Sequence, residues 1–213
     1  MGLGDRLIKL AKKVPLDLGQ ENVNTVTKGK EIAFAMVPET PASERGKRTA
    51  MDVGCRSGHQ TRHLEARGYD VTSIDIEKLF DQCIVVDANK TLPFEDKSFD
   101  VIWCSEVIEH LADANFTVGE FRRVLKNGGV MYLTTPNSYF WLMRPLHWIG
   151  LPPSRLQRQD HTLFFNVDAI RKIFPNAELF GFFPYMIVKL QIRRMIGPLS
   201  PTFVIVEQKG SGS

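Results

Sequence analysis

Long apolar runs are missing from this chain of 213 residues, and none reaches the length that spans a bilayer. The first residues hold neither the apolar core nor the small-residue cleavage site of a secretory leader. Position 6 is Arg6, where myristoylation of Gly2 needs Ser or Thr. Cysteine is scarce: Cys55, Cys83 and Cys104 are odd in number and form no C-x-x-C pair, which argues against a disulfide framework or a zinc site. These absences make a reduced, cytoplasmic protein the expectation. Strong charge is missing too. A formal net charge of +3 is mild, and a nucleic-acid binder calls for a concentrated basic face. No internal repeat and no appended RNA-binding module is visible, so nucleic acid is not the expected partner. With 43% hydrophobic residues, the chain can bury the core of one large domain.

Against that background Thr49–Asp75, TAMDVGCRSGHQTRHLEARGYDVTSID, stands out. Ala50, Met51 and Val53 suit a buried strand. Gly54 to Gly58 make a tight turn, a helix pattern around Leu64 and Ala66 stops at Gly68, and a second strand, Asp70–Ile74, finishes in Asp75. Glycines let the backbone turn sharply and approach a ligand closely. The turn's N–H groups and the helix start attract an anion, and an acid at the next strand's tip can accept both hydrogen bonds of a ribose diol. The unit therefore predicts a nucleoside ligand carrying an anion, on a nucleotide-binding α/β fold.

A dinucleotide would need G-x-G-x-x-G. Counted from Gly54, the second and third glycine positions hold Arg56 and His59, and a bulky arginine leaves little room for a pyrophosphate. A phosphate loop ending in G-K-S/T is absent. Asp52-Val53-Gly54-Cys55-Arg56-Ser57-Gly58 instead resembles the first motif of class I S-adenosylmethionine-dependent methyltransferases, D/E-x-G-x-G-x-G, with Arg56 in place of the middle glycine. Residues 83–111, CIVVDANKTLPFEDKSFDVIWCSEVIEHL, resemble the small-molecule subgroup that includes quinone-biosynthesis enzymes, as does the Arg122–Gly129 turn into Val130–Thr134.

The resemblance implies a Rossmann-like, mostly parallel seven-stranded sheet with helices on both faces and an antiparallel last strand. It implies S-adenosylmethionine as cofactor, with S-adenosylhomocysteine as product. The implied cofactor-binding residues are Asp52, Gly54, Cys55, Arg56, Gly58, Asp75, Ile76, Asp87, Ala88 and Cys104. In that set Asp87 would meet the adenine amine, and Arg56 is a candidate partner for the methionine carboxylate. Three alternatives stay open: an NAD(P)-dependent oxidoreductase, an RNA methyltransferase, and a non-catalytic domain that binds cofactor and serves a partner.

Residues 1–48 read as a helical cap and linker. Leu3, Leu7, Leu10, Ala11 and Val14 share one face of a helix opposite Lys9, Lys12 and Lys13, and a second helix over 22–37 ends before Pro38. The cofactor-binding domain runs over 49–209, with lid insertions at about 138–158 and 188–200, and 210–213 is a linker-like tail. Between Tyr139 and Gln159 there is no acidic residue, yet Phe140, Trp141, Trp148, Arg144, Arg155 and Arg158 all fall there. Such a lid suits an apolar, lipid-like acceptor with an anionic part and a peripheral membrane contact, or else it covers the sheet or a dimer contact. The oligomeric state stays open. For the chemistry, His110 and His161 are the candidate general bases. Glu106 shares a helical face with His110 if Ser105–Leu111 is a helix, and Asp160 neighbours His161. His59 and His63 lie four residues apart but lack a third ligand, so no metal is expected.

Overall fold

The computed structural model describes residues 27–156, 160–183 and 189–210. The helix expected over residues 3–14, and the start of the one over 22–37, lie outside them. The first described helix, α1 (Lys28–Met36), begins where the Thr27 side chain accepts the Lys30 N–H, and it stops just before Pro38. It lays Ile32 and Ala33 on the sheet.

Eight strands form one sheet: β1 (Thr49–Val53), β2 (Asp70–Asp75), β3 (Cys83–Val85), β4 (Phe99–Ser105), β5 (Leu125–Pro136), β6 (Glu178–Phe183), β7 (Leu190–Ile192) and β8 (Thr202–Gln208). Their order is β3-β2-β1-β4-β5-β8-β6-β7. The first five are parallel, whereas β8 runs antiparallel between β5 and β6, and β7 runs antiparallel on the outer side of β6. The sheet thus has one strand more than the seven expected. The extra strand, β7, lies in the region read as the second lid: three residues are too few to show a strand period, but they cover the otherwise open edge at Gly181–Phe183.

Alternating residues feed two cores. Met51, Val53, Ile102 and Cys104 pack on one face, while Ala50, Val101 and Trp103 pack on the other. Both faces are therefore dry, which is why VIWC reads as a continuous apolar run. Helices α2 (His59–Ala66) and α1 supply Leu64, Ile32 and Ala33 to the second face; α3 (Ala114–Val124) and α6 (Val167–Ile173) supply Val118, Phe121 and Ile170 to the first. Short helices α4 (Arg144–Trp148) and α5 (Pro153–Leu156) belong to an excursion between β5 and α6, and α7 (Ile196–Leu199) precedes β8. The excursion leaves at Asn137 and returns at Phe165, where the two residues bridge. The parallel strands put Val53, Asp75, Ser105 and Pro136 at the same rim.

Candidate active site

At that rim a cavity of about 380 Å³ opens, within the usual range for small-ligand sites. Its wall joins the β1 turn, the end of β2, the segment after β4, the start of α1, and the pair Asp160–His161 from the returning excursion.

The β1 turn explains itself locally. Gly54 has φ +75°, and a Cβ there would run into the Val107 side chain, so both backbone and packing favour glycine. Arg56, standing where the family motif has glycine, also adopts a left-handed backbone, φ +49°. An arginine there costs about 1 kcal/mol against glycine. The Asp75 carboxylate offsets this cost: its Oδ2 accepts the Arg56 N–H at 2.9 Å, and its Oδ1 accepts the Glu77 N–H at 3.3 Å. The loop path that glycine normally secures is thus held by an acid 19 residues on.

Of the implied cofactor residues, Gly54, Cys55, Arg56, Asp75 and Ile76 line the cavity. Asp75 is only 7% exposed. Each of its oxygens receives one backbone hydrogen bond and keeps a lone pair for a sugar hydroxyl. Together with the bare Cα of Gly54, this fits an adenosyl ligand. Gly58, Asp52, Asp87, Ala88 and Cys104 are not part of the wall. Gly58, φ +75°, faces Phe80 and starts α2. Cys104 is wholly buried between the strands. Asp87 spends Oδ1 on the Asn89 N–H and side-chain amide, both at 3.0 Å, which hold its carboxyl below the usual range. Ala88 uses its carbonyl to accept the Thr117 hydroxyl at 2.8 Å.

Asp52 lies behind the loop. Its Oδ2 accepts the Thr61 hydroxyl at 2.7 Å, and that hydroxyl also meets Ser73 Oγ at 2.8 Å, so β1, α2 and β2 are tied at one point. Burial pushes the Asp52 carboxyl up to about 7, opposed by the Thr61 hydrogen bond. A carboxyl raised in the folded state binds more protons folded than unfolded between about pH 4 and 7, so it withdraws stability as pH rises through that window. Asp52→Asn keeps the Thr61 contact without the charge. We expect it to be more stable than wild type at pH 7.5 by about 2–4 kcal/mol, with the gain falling to about 1 kcal/mol or less at pH 4.5. Urea midpoints at the two pH values check this; equal gains at both would refute the assignment.

The segment after β4 does not meet the condition for a shared helical face. Ser105–Leu111 is not a helix: Glu106 has φ +56°, and only Ile108–His110 form a 3-10 turn. Glu106 and His110 therefore share the cavity wall but no helical face. Glu106 Oε1 accepts the Thr134 hydroxyl at 2.9 Å. His110 is positioned from 50 residues away, its Nδ1 lying 2.9 Å from the Asp160 carbonyl oxygen and 3.7 Å from the Asp160 carboxylate. A carbonyl only accepts, so Nδ1 carries the hydrogen and Nε2 holds the free lone pair. His161, buried, packs edge-to-face on His110 with ring centroids 4.8 Å apart.

Sequence reasoning missed Glu109. It is 1% exposed, and burial together with the Glu106 charge pushes its carboxyl well above the ordinary range. Its Oε2 accepts the Thr135 hydroxyl at 3.0 Å, and its main-chain carbonyl accepts the Thr162 and Leu163 N–H groups, which pins His161 into the wall. Its Oε1 and the Trp103 indole N–H are buried without a hydrogen-bond partner among the described residues. Glu109, His110 and His161 bring their donor atoms within 4.8 Å of one another, the donor types of a cation site, where the sequence suggested none. The signal for Glu109 was its place beside His110; nothing in the spacing showed it turned inward.

Residues 51–133 match the family model described as a methyltransferase domain. The chain is 30% identical over 135 residues to a 2-methyl-6-phytyl-1,4-hydroquinone methyltransferase of Synechocystis sp., covering 56% of this chain and 42% of that one. It is 30% identical over 113 residues to a ubiquinone biosynthesis O-methyltransferase of Nitrosomonas europaea, covering 45% and 48%. The chain thus spans less than half the length of these curated relatives. Its fold is similar to an S-adenosylmethionine dependent methyltransferase from Mesorhizobium loti, with a TM-score of 0.60 at 14% identity over 84% of this chain and 97% of that one. The span 51–133 thus carries a methyltransferase domain similar to the S-adenosylmethionine-dependent methyltransferases, and its glycine turn and strand-end aspartate fit S-adenosylmethionine as cofactor.

Proposed function

We propose that this chain transfers a methyl group from S-adenosylmethionine to a small or lipid-like acceptor, with His110 as general base, and that it works in peripheral contact with a membrane. The observation that carries the reading is that one cavity joins Gly54 and Asp75 at one part of its wall to Glu109, His110 and His161 at another. Both curated relatives described above are named for quinone-type acceptors, and the aromatic excursion beside His161 suits an apolar body.

The cofactor supplies an activated methyl group on a sulfonium. The residues of the chain do the rest. Asp75 grips the ribose and the Gly54 turn accepts close approach. His110 Nε2 takes the proton of an acceptor hydroxyl, while the Asp160 carbonyl oxygen, 2.9 Å from Nδ1, holds the ring in place. The Trp103 indole N–H and Glu109 Oε1 are placed to hydrogen-bond a polar group on the acceptor, which would also satisfy two buried atoms.

The test is formation of S-adenosylhomocysteine across a panel of prenylated phenols and acyl carboxylates; no turnover on any of them, with cofactor bound, would favour the non-catalytic alternative. His110→Ala and His161→Ala should each lower kcat by about 10²-fold or more while leaving S-adenosylhomocysteine affinity unchanged. Full activity in His110→Ala would remove its general-base role.

A further inference from the structure

The excursion between Asn137 and Phe165 carries a surface that neither the fold nor the cavity uses. Its root is anchored: Phe140 is buried, and the Trp141 N–H donates to the Pro198 carbonyl at 2.8 Å. Its tip is not. Trp148 is 89% exposed and Ile149 66%, and they sit at the end of α4 and just beyond it. The Arg144 and Arg155 side chains are exposed on the same excursion, and no acidic residue lies anywhere from Tyr139 to Leu156. His147, in the same helix, is held toward its neutral form by burial, so the charge of this surface comes from arginine.

We propose that Trp148, Ile149, Arg144 and Arg155 form a docking face for an anionic lipid bilayer. Indole and aliphatic groups beside arginines, with no counter-charge, match the headgroup boundary, where apolar groups insert shallowly and the cations meet anionic headgroups. Charge complementarity selects that occupant over a second copy of the chain, whose equivalent face would bring arginine against arginine. Topology gives the face a purpose. The excursion rises from the end of β5, on the rim that holds the cavity, and its returning arm places Asp160 and His161 in the cavity wall. A lipid-like acceptor would thus meet its docking face and the cavity on one continuous segment. This inference deepens the lipid-like acceptor reading above, but the docking itself requires no turnover.

Co-sedimentation of the full chain with vesicles tests it. Binding is expected to vesicles rich in phosphatidylglycerol, and not to pure phosphatidylcholine. It should weaken as salt rises past the point where the Debye length falls to a few ångströms. Arg144→Gln with Arg155→Gln should lower partitioning about thirtyfold, and Trp148→Ser with Ile149→Ser at least about tenfold. Both pairs should melt at the wild-type temperature, because the altered side chains are exposed. Absence of binding, equal binding to neutral vesicles, or undiminished binding by both pairs would overturn the proposal. So would a wild-type dimer, seen by light scattering, that Trp148→Ser with Ile149→Ser converts to monomer without any vesicle binding. Calorimetry with S-adenosylhomocysteine on the same preparations separates the two readings. Cofactor bound without vesicles sinks only the docking face, and vesicles bound without cofactor sink only the methyltransferase reading.

Discussion

Asp75→Ala should weaken S-adenosylhomocysteine binding by roughly tenfold to a hundredfold, about 1.5–3 kcal/mol, in isothermal titration calorimetry. Two losses combine. The ribose loses a two-oxygen acceptor, and the Arg56 N–H, now held at 2.9 Å, loses the partner that keeps the loop in its left-handed turn. Asp75→Asn separates them: its amide oxygen still accepts from Arg56 but offers the sugar one acceptor instead of two, so its affinity should fall between those of alanine and wild type. Arg56→Ala belongs in the same titration. Its backbone hydrogen bond is unchanged, so a fall in affinity would support a contact between the guanidinium and the methionine carboxylate, and wild-type affinity would reject one. Wild-type affinity in Asp75→Ala would remove the ribose assignment altogether.

The second large effect falls on stability. Gly54→Ala drives a methyl group into Val107 Cγ2 and forces a side chain onto φ +75°. Valine has little χ1 freedom with which to yield. Overpacking and backbone strain together should cost about 2–4 kcal/mol, lowering Tm by roughly 5–15 °C for a chain of this size. Gly54→Ala with Val107→Ala separates the terms: the clash goes, a strain of about 1 kcal/mol remains, and most of the loss should return. If the single variant melts with wild type, the close packing of the β1 turn against Val107 is wrong.

How far the sequence carried varies with the range of the interactions. The β1 turn, α2, β2 and Asp75 are legible because a glycine turn, a helix stop and a strand-end acid follow one another within 27 residues, and each obeys a local rule. The motif alone points Asp52 at the cofactor; its place in a strand buried on both sides turns it instead toward Thr61, which in turn meets Ser73. Glu106 and His110 look like helix neighbours at a spacing of four, but a left-handed residue at Glu106 ends that pattern, and His110 takes its orientation from Asp160. No periodicity reports a contact across 50 residues. The strand Leu190–Ile192 is invisible for a different reason: it exists only because Gly181–Phe183 offers an edge to pair with.

The placing of β8 has a kinetic consequence. Its seven residues pair along Val130–Pro136 on one side and Glu178–Phe180 on the other, yet it follows both partners in the chain. Until Thr202–Gln208 slots in, β5 and the paired strands β6 and β7 remain two separate fragments, each with an unpaired strand side. Closure of the sheet is then a late, high-contact-order event, and a chain caught before it would offer two sticky edges to its neighbours.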